Sequence, residues 1–478
     1  MHNQRIQISI IFTIFTSLII TACSAPGTPA SVPSETSLPT SPPPPTQTSI
    51  PPDTPTPTSK NTLSPTLPVA TSPTTSKESI SVEADGSGDF PTLAEAVQNA
   101  PEGATLLLGA GVFRLDEALE IDKPLSLVGK GMDQTVIVSD VAEYTAHVKA
   151  NGAFSVEGIT FKHEGDSFAD AIDVEEAQVT IKNCRFSGGK MNPEGKLRGA
   201  GLRLEEKASG VVQDCVAEEN ATGIWVDAQE ATLEGNTSIK NLAGILFSSS
   251  SQALARSNRC QENQYNGFVV SMYANPTLEE NTSVMNQQNG FYFLGEATGS
   301  AARNECSQNQ QNGILVDNKA GPTLEKNVCN ENGKFGIAFV ANATGTVSGN
   351  TVMENQMSGI LLSDFSKATL EENTCSKNSR FGIAVGLQAE GIVRKNICEQ
   401  NLWSGIMVAE NASATLEKNV CTGNVQAGIA FRDQSSGSAS RNQCVGNEIG
   451  LYVQSSANPE LLDNDCHGNT KNDILDER

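Results

Sequence analysis

Residues 313–335 read GILVDNKAGPTLEKNVCNENGKF, and at residue 336 the phrase begins again as GIAF. Each unit opens on a glycine that recurs at Gly223, Gly244, Gly267, Gly290, Gly313, Gly336, Gly359, Gly382, Gly405, Gly428 and Gly450. The spacing is 21 residues at first, 23 through the middle and 22 at the end. Fixed spacing in this range marks a solenoid, in which the chain lays down one structural coil after another. Two asparagines keep step with the glycine. One column runs from Asn236 through Asn258, Asn281, Asn304 and Asn327 to Asn464, and the other from Asn220 through Asn241, Asn263 and Asn286 to Asn469. Asparagine tolerates left-handed backbone and its amide can bond its own kind in the next coil, so these columns predict the corners.

Within a unit the runs are short and alternate with a period of two, as in GILVD and TLEKNVC, which predicts strands. A leucine-rich-repeat solenoid needs a Leu-x-x-Leu-x-Leu spine with a helical return, and neither is spelled here. In the strand after each glycine the first and third residues are apolar: Ile314 and Val316, Ile337 and Phe339, Ile406 and Val408. These are expected to point inward. Eleven coils stacked in register at about 4.8 Å would span roughly 50 Å.

Upstream of the regular array, ISVEADGSGDFPTLAEAVQNAPEG (residues 80–103) sets a glycine turn before Thr92. That threonine heads the short amphipathic segment Leu93, Ala96, Val97. The stretch resembles the entry of pectin-lyase-like proteins, where a short helix caps the open end of the core. The resemblance implies an all-β fold, a single-stranded right-handed parallel β-helix of about 23-residue coils with an N-terminal capping helix. It divides the chain into a cap with irregular coils over residues 79–222 and regular repeats over 223–478.

The first 23 residues read as an export signal. Arg5 precedes the apolar run Ile8 to Ile20, too short for a membrane span, and then Thr21, Ala22 and Cys23. Ile20-Thr21-Ala22-Cys23 resembles the bacterial lipobox, which implies lipidation of Cys23 and a membrane anchor facing the periplasm or the cell exterior. Residues 24–78 are mostly Pro, Ser and Thr. Lacking apolar side chains to offset ordering entropy, they predict an extended stalk.

Acidic residues outnumber basic ones 55 to 32, a formal charge of -23 that repels phosphate backbones and excludes nucleic acid as a partner. Of the 11 cysteines, Cys23 belongs to the lipobox. Eight others (Cys260, Cys306, Cys329, Cys375, Cys398, Cys421, Cys444, Cys466) stand two residues after the corner asparagine. Ser238, Ser283 and Val352 hold that position elsewhere, so the column predicts small inward side chains, buried as free thiols, with vertical disulfides left open. CxxC and His-Cys spacings are absent, so no metal and no cofactor are expected.

Function must come from outward positions. The residue between the two inward ones reads Trp225, Leu246, Val269, Tyr292, Leu315, Ala338, Leu361, Ala384, Met407, Ala430 and Tyr452, without one charge. An exposed apolar ribbon of this length marks a ligand or partner surface, unless loops or a second copy of the chain cover it. Tyr265, Phe335, Phe381 and Trp403 stand near the same corner and would widen the surface for stacking on sugar rings. The expected ligand-binding residues are therefore Trp225, Tyr265, Tyr292, Trp403 and Tyr452.

Toward the N-terminus the column turns polar. If Ala146-His147-Val148, Ile172-Asp173-Val174 and Leu202-Arg203-Leu204 are equivalent strands, His147, Asp173 and Arg203 stack beside Trp225. A base, a carboxylate and an arginine are the parts that proton abstraction beside a uronate needs. These three are the candidate catalytic residues, with Lys190, Lys196 and Arg198 on the enlarged coil nearby.

The DGSGDF opening is shared with pectin methylesterase-like proteins, but their Gln-Asp-Thr-Leu and Gly-x-x-Asp-Phe-Ile-Phe-Gly stretches are missing. Polygalacturonase-like Asn-Thr-Asp, Asp-Asp and Gly-His-Gly motifs and the Asp-Pro-His of alginate epimerases are missing too. The repeats most resemble the generic right-handed β-helix repeats of carbohydrate-binding and sugar-hydrolase modules, F-box substrate receptors and periplasmic copper-maturation proteins, a likeness that brings no active site. Sparse His and Met argue against copper delivery. The expectation is a lipid-anchored surface protein that binds polysaccharide or a cell-surface protein, with self-association through the ribbon as a further possibility. The competing expectation is a polysaccharide lyase, hydrolase or epimerase.

Overall fold

Glycine spacing and strand-length runs are realised as a right-handed parallel β-solenoid whose coils each carry short strands on up to three faces. The computed structural model describes residues 79–191 and 199–478. The signal segment, Cys23, the Pro/Ser/Thr stretch, Lys196 and Arg198 lie outside the described residues. Among the described residues every strand-to-strand pairing is parallel, for example Ile314 with Ile337 on the first face, Leu324 with Val347 on the second and Cys398 with Cys421 on the third.

The capping helix forms over Leu93–Asn99. The Thr92 hydroxyl accepts the backbone N–H of Glu95 at 3.2 Å, satisfying one of the donors a helix start leaves open, while Leu93, Ala96 and Val97 are buried. The inward residues Ile314, Val316, Ile337, Phe339, Ile406 and Val408 are fully buried. Identical side chains stack coil on coil, as where Phe268 and Phe291 lie with ring centroids 4.6 Å apart and planes 7° from parallel. Between residues 143 and 182 the coils are less regular. Two long strands, Glu143–Glu157 and Ala169–Lys182, each run across two faces, and their pairing shifts register around Lys149.

Both asparagine columns stand at corners and are buried except at their half-buried last members Asn464 and Asn469, but not for the backbone reason the sequence suggested. The left-handed backbone falls on the residue before each ladder asparagine: Glu280 (φ 54), Arg303 (φ 56) and Lys326 (φ 52) before one column, Met285 (φ 57) and Gln308 (φ 58) before the other. The asparagine is selected by its side chain. At each bend the backbone N–H turns away from the sheet, and the Oδ1 of the next asparagine accepts it. Asn304 N–H bonds Asn327 Oδ1 at 2.9 Å, and Asn327 N–H bonds Asn350 Oδ1 at 2.8 Å. A third, shorter ladder runs the opposite way, Asn312 to Asn289 and Asn289 to Asn266.

The recurrent glycine is explained by close approach. A Cβ on Gly290 would lie 2.6 Å from the carbonyl oxygen of Gly313 and 2.8 Å from Asn309 Nδ2, so any side chain would push into the ladder.

All ten described cysteines are free, nine of them buried. Cys375, Cys398, Cys421, Cys444 and Cys466 follow one another in register. Cys184 and Cys215, which the spacing left unplaced, head the first asparagine ladder: Cys184 N–H bonds Cys215 Sγ at 3.5 Å, and Cys215 N–H bonds Asn236 Oδ1 at 3.0 Å.

Candidate functional site

The outward column of the first face is continuous. Glu120 pairs with His147, His147 with Asp173, Asp173 with Arg203 and Arg203 with Trp225. From Trp225 the column continues through Leu246, Val269, Tyr292, Leu315, Ala338, Leu361, Ala384, Met407, Ala430 and Tyr452 to Leu475. The strands thus bring His147, Asp173, Arg203 and Trp225 together as the spacing implied, and the whole column extends about 70 Å at the usual strand separation.

At its polar end the side chains hold one another. His147 Nδ1 lies 2.8 Å from Glu120 Oε2, and its Nε2 lies 3.4 Å from Glu175 Oε2 and 3.8 Å from Asp173 Oδ2. The Tyr144 ring stacks on the imidazole, centroids 4.6 Å apart. Lys149 Nζ donates to Glu175 at 2.5 Å, which holds the Glu175 carboxyl below the usual range and raises Lys149. Arg203 donates to Asp227 at 3.2 Å, has Glu205 at 3.7 Å, and lies over the Trp225 ring with its guanidinium carbon 4.8 Å from the centroid. Burial pulls the Arg203 pKa down, but Asp227, Glu205, Asp170 and Asp173 pull it further up, so the group stays charged. Asp170, buried beside this cluster, accepts the backbone N–H groups of Gly199 (2.7 Å) and Ala200 (2.6 Å) where the enlarged coil returns. The net arrangement is a compact, mainly acidic network at the surface.

The apolar part of the column corrects the sequence expectation of an exposed ribbon. Trp225, Leu246, Val269, Tyr292, Ala338, Ala384, Met407 and Ala430 are buried, and only Leu315, Leu361 and Tyr452 are half-buried. Side chains at coil spacing cover one another, and neighbours fold over them. Met407 packs with Ala427 and Ala430 beneath Phe381, Ala409, Ile449 and Tyr452. The polar tips are also engaged. Trp225 Nε1–H donates to Ser248 Oγ (2.8 Å) and Asp227 (3.1 Å), and the Tyr292 hydroxyl donates to Asp317 (3.1 Å), whose carboxyl burial pushes above its ordinary value. Of the five expected ligand-binding residues, Trp403 is the most open, 39% exposed. It stands edge-on to Phe381 at 5.1 Å with Arg380 over its ring at 5.2 Å. Tyr265 is half-buried beside the corner, away from Trp403 along the column.

Glu120, Glu175, Tyr144 and Asp227 were not among the residues picked from sequence. Leu119-Glu120-Ile121 spells the same apolar, polar, apolar strand as Ile172-Asp173-Val174 and was findable by that signal. Tyr144 lies at the start of a long strand where the repeat gives no register. On the second face a shallow groove of about 740 Å³ runs across Thr344, Thr346, Lys367, Thr369, Glu390 and Thr415. Among the described residues no group of three or more His, Cys, Asp or Glu is placed to hold a metal, and no helix is long and apolar enough to cross a membrane.

No curated protein matches the chain. Among solved structures it is similar to the A-module of mannuronan C-5 epimerase AlgE6 from Azotobacter vinelandii, at 14% identity and TM-score 0.39, covering 80% of this chain and 93% of that one. It is also similar to the catalytic unit of the GH87 alpha-1,3-glucanase from Streptomyces thermodiastaticus, at 14% identity and TM-score 0.38, covering 82% and 69%. The periplasmic alginate epimerase AlgG matches at 15% identity and TM-score 0.30, covering 80% and 83%. The family described as right handed beta helix region matches residues 134–283, 231–360 and 339–475, so the chain belongs to the right-handed β-helix family.

Proposed function

We propose that this protein is a surface-displayed, lipid-anchored β-helix that binds polysaccharide along its first face and does not turn it over. The observation that carries this reading is the state of the polar stack. The two cationic candidates are engaged by neighbours: His147 by Glu120, Glu175 and Asp173, and Arg203 by Asp227 and Glu205. A general base must reach the proton it takes, and an arginine must reach the substrate carboxylate. Here both are 13–17% exposed and committed to neighbours. A long face with half-buried aromatic side chains at Tyr144 and Tyr452 suits an extended ligand that gathers many small contacts.

The test is a glycan panel incubated with the full chain and scored for retention, for new unsaturated or reducing ends and for inverted C-5 configuration. Retention without product, unchanged in His147→Ala, supports the proposal. A second reading, a lyase or epimerase acting at His147, Asp173 and Arg203, is favoured by the Tyr144 ring stacked on His147, which places a phenol and an imidazole side by side. Product that vanishes in His147→Ala would establish that reading instead.

A further inference from the structure

In a chain of net charge -23, basic side chains have carboxylates to spare. Eight of the eleven described arginines sit within 4 Å of one. Of the other three, Arg259 bonds Gln261. The last two, Arg380 and Arg432, have no ion-pair partner among the described residues, and each lies over an aromatic ring: Arg380 over Trp403 at 5.2 Å and Arg432 over Tyr452 at 5.5 Å. Both arginines are exposed. A guanidinium laid on a ring keeps its N–H edge outward, the edge that grips a carboxylate with two parallel hydrogen bonds.

Gln426 N–H bonds the Trp403 carbonyl at 3.0 Å, and Ile449 N–H bonds the Gln426 carbonyl at 3.0 Å, so the pairs stand about two coils, roughly 10 Å, apart. Beside Arg432 and Tyr452 a cleft of about 210 Å³ is lined by Gln426, Ala427, Arg432, Glu448, Ile449 and Tyr452, with Arg380 and Trp403 outside its lining. Its floor is fixed, because Phe381 and Tyr452 pack on the Met407, Ala427 and Ala430 cluster and Phe381 buttresses Trp403. The two carboxylates nearby are occupied: Glu448 pairs with Lys471, and Glu477 accepts the Tyr452 hydroxyl at 2.9 Å.

We infer that this cleft in the C-terminal coils is a binding subsite for acidic sugars, the uronate residues of an extended polysaccharide. Two linked sugar residues have the reach for their carboxylates to meet the outward N–H edges of Arg380 and Arg432 while one ring lies against the exposed part of Trp403 and the other enters the cleft. The inference rests on the polysaccharide-binding reading and adds the charge class and a location at the opposite end of the column from Arg203, whose guanidinium is already taken.

The test compares binding of the full chain to polygalacturonate, to its fully methyl-esterified form and to a sulfated galactan free of uronates. The acid form is expected to bind at least about tenfold more tightly than the ester, the worth of one charge-assisted bidentate contact. Arg380→Gln with Arg432→Gln should erase that preference and leave the melting temperature unchanged, since both side chains are exposed. Trp403→Ala should weaken the acid and ester forms alike. Equal binding of acid and ester, undiminished binding by the double arginine variant, or tighter binding of the sulfated galactan would each overturn the subsite. If neutral glycans alone bind, the subsite fails and the broader reading stands; if no glycan binds, both fail.

Discussion

Replacing Asn327 by alanine in the middle of the first ladder should cost about 4 kcal/mol. Its side chain is fully buried and makes four hydrogen bonds. Nδ2 donates to the Ala301 carbonyl and to Asn350 Oδ1, both at 2.9 Å, and Oδ1 accepts Asn304 N–H at 2.9 Å and Asn304 Nδ2 at 3.0 Å. Asn304 Nδ2 keeps the Leu278 carbonyl at 3.0 Å, but the Asn304 backbone N–H and the Ala301 carbonyl lose this partner in a dry interior. Two orphaned groups at about 1–3 kcal/mol each give the figure. The same change at Asn464, where the ladder ends, removes three comparable bonds at a partly exposed site where water can replace them, and should cost about 1 kcal/mol. Urea unfolding followed by circular dichroism measures the difference between the two variants. Because long repeat arrays need not unfold in one step, amide exchange at Asn304 should be read alongside. Equal costs at the two positions, or a cost under about 1 kcal/mol at Asn327, would refute the ladder as a source of stability.

Three further outcomes are expected. Gly290→Ala drives a methyl into the Gly313 carbonyl and the Asn309 amide, and should destabilise by at least the roughly 1–3 kcal/mol typical of overpacking, seen as a lower urea midpoint. Burial pushes the thiols of Cys260, Cys306 and Cys398 well above their ordinary 9.0, so they stay protonated in the folded chain while those of the unfolded chain ionise. The unfolded state then binds fewer protons, and stability falls as pH rises past about 9, by up to about 1.4 kcal/mol per unit per thiol. A variant with serine at all three positions should show a shallower decline between pH 8 and 10.5. Trp225→Phe removes the indole N–H that meets Asp227 and Ser248, and should cost about 1–3 kcal/mol by thermal melting.

The solenoid was legible because a coil that must stack on its neighbours repeats its constraints. Gly290, Asn304 and Ile314 recur since each meets the same atoms one coil away. The polar stack was legible for the same reason wherever the apolar, polar, apolar spelling survived, as at Asp173 and Arg203. It failed at Glu120 only because that strand was not aligned with the others, and at Tyr144 because the long strand Glu143–Glu157 breaks the period. Exposure was not legible at all. That Trp225 and Tyr292 face outward follows from alternation, but that they are covered depends on Asp227, Ser248, Asp317 and the coil neighbours, whose reach no spacing encodes. Likewise, the left-handed corner residue lies one place before the asparagine, because the side chain ladder and not backbone tolerance sets that column.

The most direct measurement is prolonged incubation of the full chain with polygalacturonate and with alginate, following bound glycan and released ends in the same sample. Binding without polysaccharide turnover predicts glycan retained on the protein while unsaturated and reducing ends stay at the level of a protein-free control. Ends that accumulate with time and protein concentration, alginate whose uronate C-5 configuration inverts, or glycan that is not retained at all, would contradict it.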